Sequence, residues 1–142
     1  VPDTLPAIPF GKAAIRRSGR DVTLVAWSQA LPHALAAAEE ASRRGVGVEV
    51  IDLRTLWPWD EAAVAASLSR TGRLLVVQEG VLAGGFGGEI VARLAERLGP
   101  DLRAVKRMGA PRIPVPFAPT LEAEVTPQAS AIADAIIEMA RR

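Results

Sequence analysis

The chain has 142 residues, 17 basic against 16 acidic for a formal net charge of +1, and no cysteine. One domain of this length can bury roughly 70% of its unfolded surface without a disulfide or metal staple. The even charge mixture excludes a nucleic-acid surface, the missing thiols exclude a thiolate nucleophile or thiolate metal site and suit a reducing, cytoplasmic compartment, and no apolar run reaches the ~18 residues a membrane span needs.

The expected order of elements is β-α-β-α-β-α-β-loop-α. Val1–Phe10 carries Pro2, Pro6 and Pro9 and reads as a linker, leaving residues 11–142 as the domain. Lys12–Arg17 suits a short edge strand. Val22–Trp27 is a buried strand, after which Ser28 is expected to cap a helix with Pro32 in its first turn. Leu31, Leu35 and Ala38 share one face of that helix, Glu39–Arg43 and Glu40–Arg44 pair at i,i+4, and Gly45 ends it. Val46–Leu53 is the next strand. Arg54–Trp59 is an irregular link with Trp57 and Trp59 around Pro58, and Asp60 caps a helix with Val64 and Leu68 on its inner face.

Leu74–Val77 is short, apolar and β-branched, as a strand buried on both faces would be. Gly84, Gly85, Gly87 and Gly88 then surround Phe86 before a helix over Gly85–Leu98, with Ile90, Leu94 and Leu98 inward and Gly99-Pro100 as its stop. Glycines at a helix start suit either an anion cradle or close backbone approach. The spacing matches neither G-x-G-x-x-G nor the P-loop, so close packing is the preferred reading and the anion loop the alternative. Leu102–Arg107 suits a last strand. Ala110–Pro119 holds four prolines and is expected to be an extended arm, with Ile113, Val115 and Phe117 alternating as if against a surface. Thr126-Pro127 is expected to open a final helix with Ile132, Ile136 and Met139 inward.

Chemistry within the chain is sparse. His33 is the single histidine and there is no tyrosine. Ser28 and His33 suggest a nucleophile and base, but no G-x-S-x-G elbow frames the serine and no metal-ligand spacing occurs. No catalytic, cofactor-binding or metal-binding residue is assigned.

Five segments in order carry a resemblance: IPFGKA (Ile8–Ala13), EVIDLRTLWPWD (Glu49–Asp60), TGRLLVVQEG (Thr71–Gly80), GGFGGEI (Gly84–Ile90) and PRIPVPFAPTLE (Pro111–Glu122). Together they resemble the C-terminal domain of the beta subunit of thiamine-diphosphate-dependent 2-oxoacid dehydrogenases, of pyruvate and branched-chain type, in the transketolase C-terminal family. The resemblance implies a three-layer α/β/α sandwich with a five-stranded, mostly parallel mixed sheet whose first strand runs antiparallel. It implies oxidative decarboxylation of a 2-oxoacid in the full complex. Thiamine diphosphate and Mg²⁺ would be held outside this domain, which alone would be inactive.

The partners it implies are an upstream pyrimidine-binding domain of the same subunit, an alpha subunit, a second beta subunit in an α2β2 assembly, and the lipoyl-bearing acyltransferase, with no nucleic acid or membrane. The expected interface residues are Trp57, Pro58, Trp59, Leu82, Phe86, Ile113 and Phe117, since interfaces favour aromatic anchors and loops carry function. The alternatives are a regulatory module binding a small anion at Gly84, Gly85, Gly87 and Gly88, and the same domain from a deoxyxylulose-phosphate synthase or transketolase relative.

Overall fold

The computed structural model describes residues 7–142, so the first six residues of the expected linker lie outside the described part. Burial explains the arrangement of the rest. The two expected buried strands become β2 (Val22–Ala26) and β3 (Val48–Asp52), every residue of which is buried, with Glu49 and Asp52 of β3 paired to Arg70 and Arg16. They pair in parallel from Val22 opposite Val48 to Ala26 opposite Asp52. On the other side of β2 lies β4 (Arg73–Val81), parallel from Thr23 opposite Leu74 to Ala26 opposite Val77.

Parallel neighbours need long crossovers, and helices supply them: α1 (Ala30–Arg43), α2 (Glu61–Thr71) and α3 (Phe86–Leu98). One edge strand, β5 (Ala104–Ala110), runs parallel to β4, and the other, β1 (Ala14–Arg17), antiparallel to β3. The five-stranded order is β1-β3-β2-β4-β5, mixed and mostly parallel as expected.

Successive strand residues point to opposite faces, so two cores form. On one face Val22, Leu24, Val48, Val50, Leu75 and Val77 meet α1 and α5 (Ala129–Ala140) through Ala34, Ala38, Ile132 and Ile136. On the other, Val25, Ile51, Leu74 and Val76 meet Val64 and Leu68 of α2 and Ile90 and Leu94 of α3. Each fully buried Leu or Ile contributes about 2 kcal/mol. The second face also buries a hydroxyl cluster, in which Thr23 Oγ1 lies 2.7 Å from both Ser67 Oγ and Thr71 Oγ1. These groups satisfy one another, which keeps their burial tolerable.

The termini of the elements depart from expectation for local reasons. Ser28 does not cap α1. It sits in the left-handed region at φ 51°, whereas a capping residue needs extended backbone, and its hydroxyl donates to Glu79 Oε1 at 3.2 Å. The residue before α1 is Gln29, without a side-chain cap bond, and the buried stripe of α1 consists of alanines, with Leu31 and Leu35 at its margin. Glu40 pairs with Arg44 as expected, but Glu39 reaches Arg17 on β1. Asp60 caps α2 as expected, its Oδ1 accepting from the Ala63 amide at 3.2 Å.

Thr126-Pro127 does not open the last helix. Thr126 Oγ1 donates back to the Glu122 carbonyl and so closes an unexpected short helix, α4 (Pro119–Val125), while α5 starts two residues beyond Pro127. Pro119 at the first helical position and Glu122 in the first turn were the signals for α4.

Candidate functional site

The loop Val81–Gly88 follows from an irregularity in β4. Pairing with β5 is regular from Arg73 opposite Ala104 to Val77 opposite Met108, then resumes at Val81 opposite Ala110. Four steps along β4 thus match two along β5, and the surplus residues form a bulge. Gln78, at 3% exposure, points inward from it. Its Nε2 donates to the Val81 carbonyl at 2.7 Å and the Gly80 carbonyl at 3.3 Å, and its Oε1 accepts from the Gly87 amide at 2.8 Å.

The glycines follow from that side chain. A Cβ on Gly85 would lie 1.9 Å from Gln78 Nε2 and 2.3 Å from the Val81 carbonyl oxygen, and one on Gly87 would lie 2.8 Å from Gln78 Oε1. The Gly88 amide donates to the Gly85 carbonyl at 2.9 Å. Both amides that an anion would use are therefore engaged within the chain, and close approach accounts for the loop. Sequence reasoning passed over Gln78; its signal was a lone carboxamide at the end of a buried strand and just before four glycines.

The two tryptophans separate. Trp57 is 72% exposed, whereas Trp59 is 8% exposed and packs in the core with Val25, Ile51 and Val64. The expectation of Trp59 as an interface anchor is therefore corrected: only Trp57 and the exposed Pro58 are presented to solvent there. The N-terminal segment runs against this turn. The Gly11 amide donates to Thr55 Oγ1 at 3.0 Å, the Ala13 amide to Asp60 Oδ2 at 3.2 Å, and a Cβ on Gly11 would stand 3.3 Å from Pro58 Cγ. Exposed Ile8, Phe10 and Leu56 adjoin the same two segments.

The proline-rich arm behaves as its sequence suggests only in part. It links β5 to α4 through bends, with the Ile113 amide donating to the Pro111 carbonyl at 2.9 Å and Pro119 already helical, and Ile113, Val115 and Phe117 are all exposed, as is Leu121 of α4. The surface against which they alternate is not provided by the described residues. Leu82 and Phe86 are half-buried, and Phe86 stacks edge-on against Trp27 with ring centroids 6.3 Å apart.

A cleft of about 310 Å³ opens beyond the ends of β2 and β4, lined by Gln29, His33, Glu79, Glu122, Thr126 and Gln128 among others. No hydrogen bond among the described residues joins Ser28 to His33, because the serine hydroxyl is bonded to Glu79. A serine–histidine nucleophile is not assembled, and among the described residues no group of three or more metal-ligating side chains occurs. Electrostatics instead tie helices together. Arg93, and with it Arg97, holds the Glu61 carboxyl below its usual range, linking the start of α2 to α3. Lys106, with Arg142, does the same for Glu138 at the end of α5.

Comparison with known proteins gives one family. The model described as "Transketolase, C-terminal domain" matches residues 11–132. The chain is 40% identical over 141 residues to the acetoin:2,6-dichlorophenolindophenol oxidoreductase subunit beta of Bacillus subtilis, covering 98% of this chain and 41% of that one. It is 38% identical over 141 residues to the pyruvate dehydrogenase E1 component subunit beta-2, mitochondrial, of Oryza sativa, covering 99% and 36%. The chain thus spans about two-fifths of the length of these relatives. Among solved structures, a split-gene transketolase, described as an inactive beta4 tetramer, superposes with a TM-score of 0.81 at 24% identity, covering 99% of this chain and 47% of that one.

Proposed function

We propose, because the chain belongs to the transketolase C-terminal domain family, that it is the C-terminal assembly domain of the beta subunit of a thiamine-diphosphate-dependent dehydrogenase. In the assembled enzyme the reaction is the oxidative decarboxylation of pyruvate or a branched-chain 2-oxoacid. The observation that carries this reading is the 40% and 38% identity, along nearly the whole chain, to two proteins named as beta subunits. One of these is named for acetoin, so the likeness does not by itself separate one substrate from another.

Within this reading the domain's work is contact. An upstream pyrimidine-binding domain of the same subunit, an alpha subunit, a second beta subunit and the lipoyl-bearing acyltransferase are the proposed partners. The exposed apolar side chains support it. Trp57 and Pro58 on one turn, and Ile113 and Phe117 on the arm, present the aromatic and aliphatic surface that protein interfaces bury. Half-buried Leu82 and Phe86 extend the surface from the glycine loop.

In this reading thiamine diphosphate and Mg²⁺ are held elsewhere in the assembled enzyme, and the amides of Gly87 and Gly88, engaged by Gln78 and by the Gly85 carbonyl, support it. No chemical step is assigned to this chain. The same engaged amides argue against the regulatory anion module.

The test is thermal unfolding of the chain with and without thiamine diphosphate plus Mg²⁺, together with an assay for 2-oxoacid decarboxylation. An unchanged Tm and no turnover are expected. Stabilisation by the cofactor, as linkage requires of any ligand that favours the folded state, or turnover by the chain alone, contradicts the reading.

A further inference from the structure

We infer that Gln78 is the positioning residue for the Val81–Gly88 loop: its buried carboxamide holds both ends of the loop at once and so fixes where Leu82 and Phe86 stand. The outgoing end is held by donation from Nε2 to the Val81 and Gly80 carbonyls, and the returning end by acceptance at Oε1 from the Gly87 amide. One planar group thus replaces the strand pairing that the bulge interrupts. The backbone is shaped around it from three sides. Gly85 and Gly87 leave room on the loop, and on β5 a Cβ at Gly109 would come within 3.1 Å of Gln78 Cγ.

Chemistry makes the choice of glutamine specific. Two carbonyl oxygens on one side and an amide N–H on the other require a group with donors at one end and an acceptor at the other, which a carboxamide supplies in its ordinary neutral form and a carboxylate does not. A carboxylate of the same shape would face the Val81 and Gly80 oxygens with no hydrogen to offer. It fits only when protonated, with its hydroxyl toward Val81. On the surrounding elements the charged side chains nearest to Gln78 and its loop in sequence are Glu79 on β4, Glu89 on α3 and Arg107 on β5, with Arg73 of β4, Lys106 of β5 and Arg93, Glu96 and Arg97 of α3 further along. Glu79 accepts from Ser28, and Arg107 Nη1 donates to the Leu82 carbonyl at 3.3 Å.

The loop bears on assembly only through the reading proposed above; its geometry does not. The tests therefore separate the two. In Gln78→Met, which keeps the volume and removes the bonds, the Gly87 amide should exchange with solvent at least about tenfold faster, the usual worth of one buried hydrogen bond, while β2 amides keep their protection. The near-ultraviolet circular dichroism of the Trp27–Phe86 pair should weaken with it.

Gln78→Glu tests the donor at Nε2: burial alone raises a carboxyl's pKa, so the discriminating readout is whether Gly87 exchange and the Trp27 signal follow the same titration. A group needed in its protonated form has a raised folded-state pKa. Its contribution is therefore present at low pH and lost as pH rises through that value. The Tm deficit of Gln78→Glu against the parent should be small near pH 5 and widen toward pH 8, with Gly87 exchange and the Trp27 signal following it. Unchanged Gly87 exchange in Gln78→Met, or Gly87 exchange and a Trp27 signal in Gln78→Glu that do not follow such a titration, overturns the positioning role. If both variants behave as expected yet bind the alpha subunit as tightly as the parent, the role stands and the assignment of this loop to assembly fails.

Discussion

The glycine loop and the proline arm are two irregular segments among the described residues, and they solve opposite problems. The glycine loop, with Leu82 and Phe86 half-buried, closes on a side chain of the strand it leaves, Gln78, with backbone groups engaged inside the domain. The arm has apolar side chains that nothing among the described residues covers: Ile113, Val115 and Phe117 stand in solvent. A loop that is satisfied inside reports on the fold, whereas apolar side chains left outside are what the proposed assembly would cover. The pair Trp59 and Trp57 repeats this contrast two residues apart.

The contrast can be broken by substitution, and the largest expected effect is at Trp59. Trp59→Ala opens a cavity among Val25, Ile51 and Val64 and should cost about 3–5 kcal/mol in urea unfolding. Trp57→Ala, by comparison, should stay within about 0.5 kcal/mol, as surface changes do. Equal costs at the two positions would erase the distinction between core and presented tryptophan.

Next in size is Gly85→Ala. The added methyl meets the Val81 carbonyl, which is backbone and cannot rotate away, so about 2–3 kcal/mol of overpacking is expected. Retention of parental stability would mean that the loop is not closed on Gln78.

Acidification should show a smaller effect. Arg93 and Arg97 depress the folded-state pKa of Glu61. A depressed carboxylate contributes stability that is present above its unfolded-state pKa and is lost as pH falls through the folded-state value. Between pH 7 and the region below the ordinary glutamate range, the parent should therefore lose more stability than Glu61→Gln. A difference between the two that does not change with pH would remove the α2–α3 ion pairs from the account of stability.

The fold was largely legible because burial on both faces writes itself plainly: VTLVA and VEVID can hardly be anything but central parallel strands. The antiparallel first strand was not legible from Ala14–Arg17 itself and came only through family resemblance. Capping signals were legible where the side chain had no competing partner, as at Asp60, and misleading where it had one, as at Ser28 with Glu79 and Thr126 with Glu122. Tertiary contacts decide between such partners, and no local pattern encodes them. The candidate surface was legible in composition but not in orientation. The run WPWD contains two tryptophans, and only the path of the turn between β3 and α2 decides that the second points inward. Gln78 left only a weak signal for a related reason, since its role depends on a bulge that exists only relative to β5.

The smallest expected effect on stability, and the largest on assembly, belongs to the arm. Ile113→Ser with Phe117→Ser should leave the unfolding midpoint of the isolated chain within the scatter of surface substitutions. The most direct measurement of assembly is therefore sedimentation of the parent chain and of this double variant, each mixed with the alpha subunit from the same genome. The parent is expected to co-sediment as a larger species, while the equally stable double variant remains at its own mass. Identical behaviour of the two, whether both associate or neither does, would contradict the arm as an assembly surface.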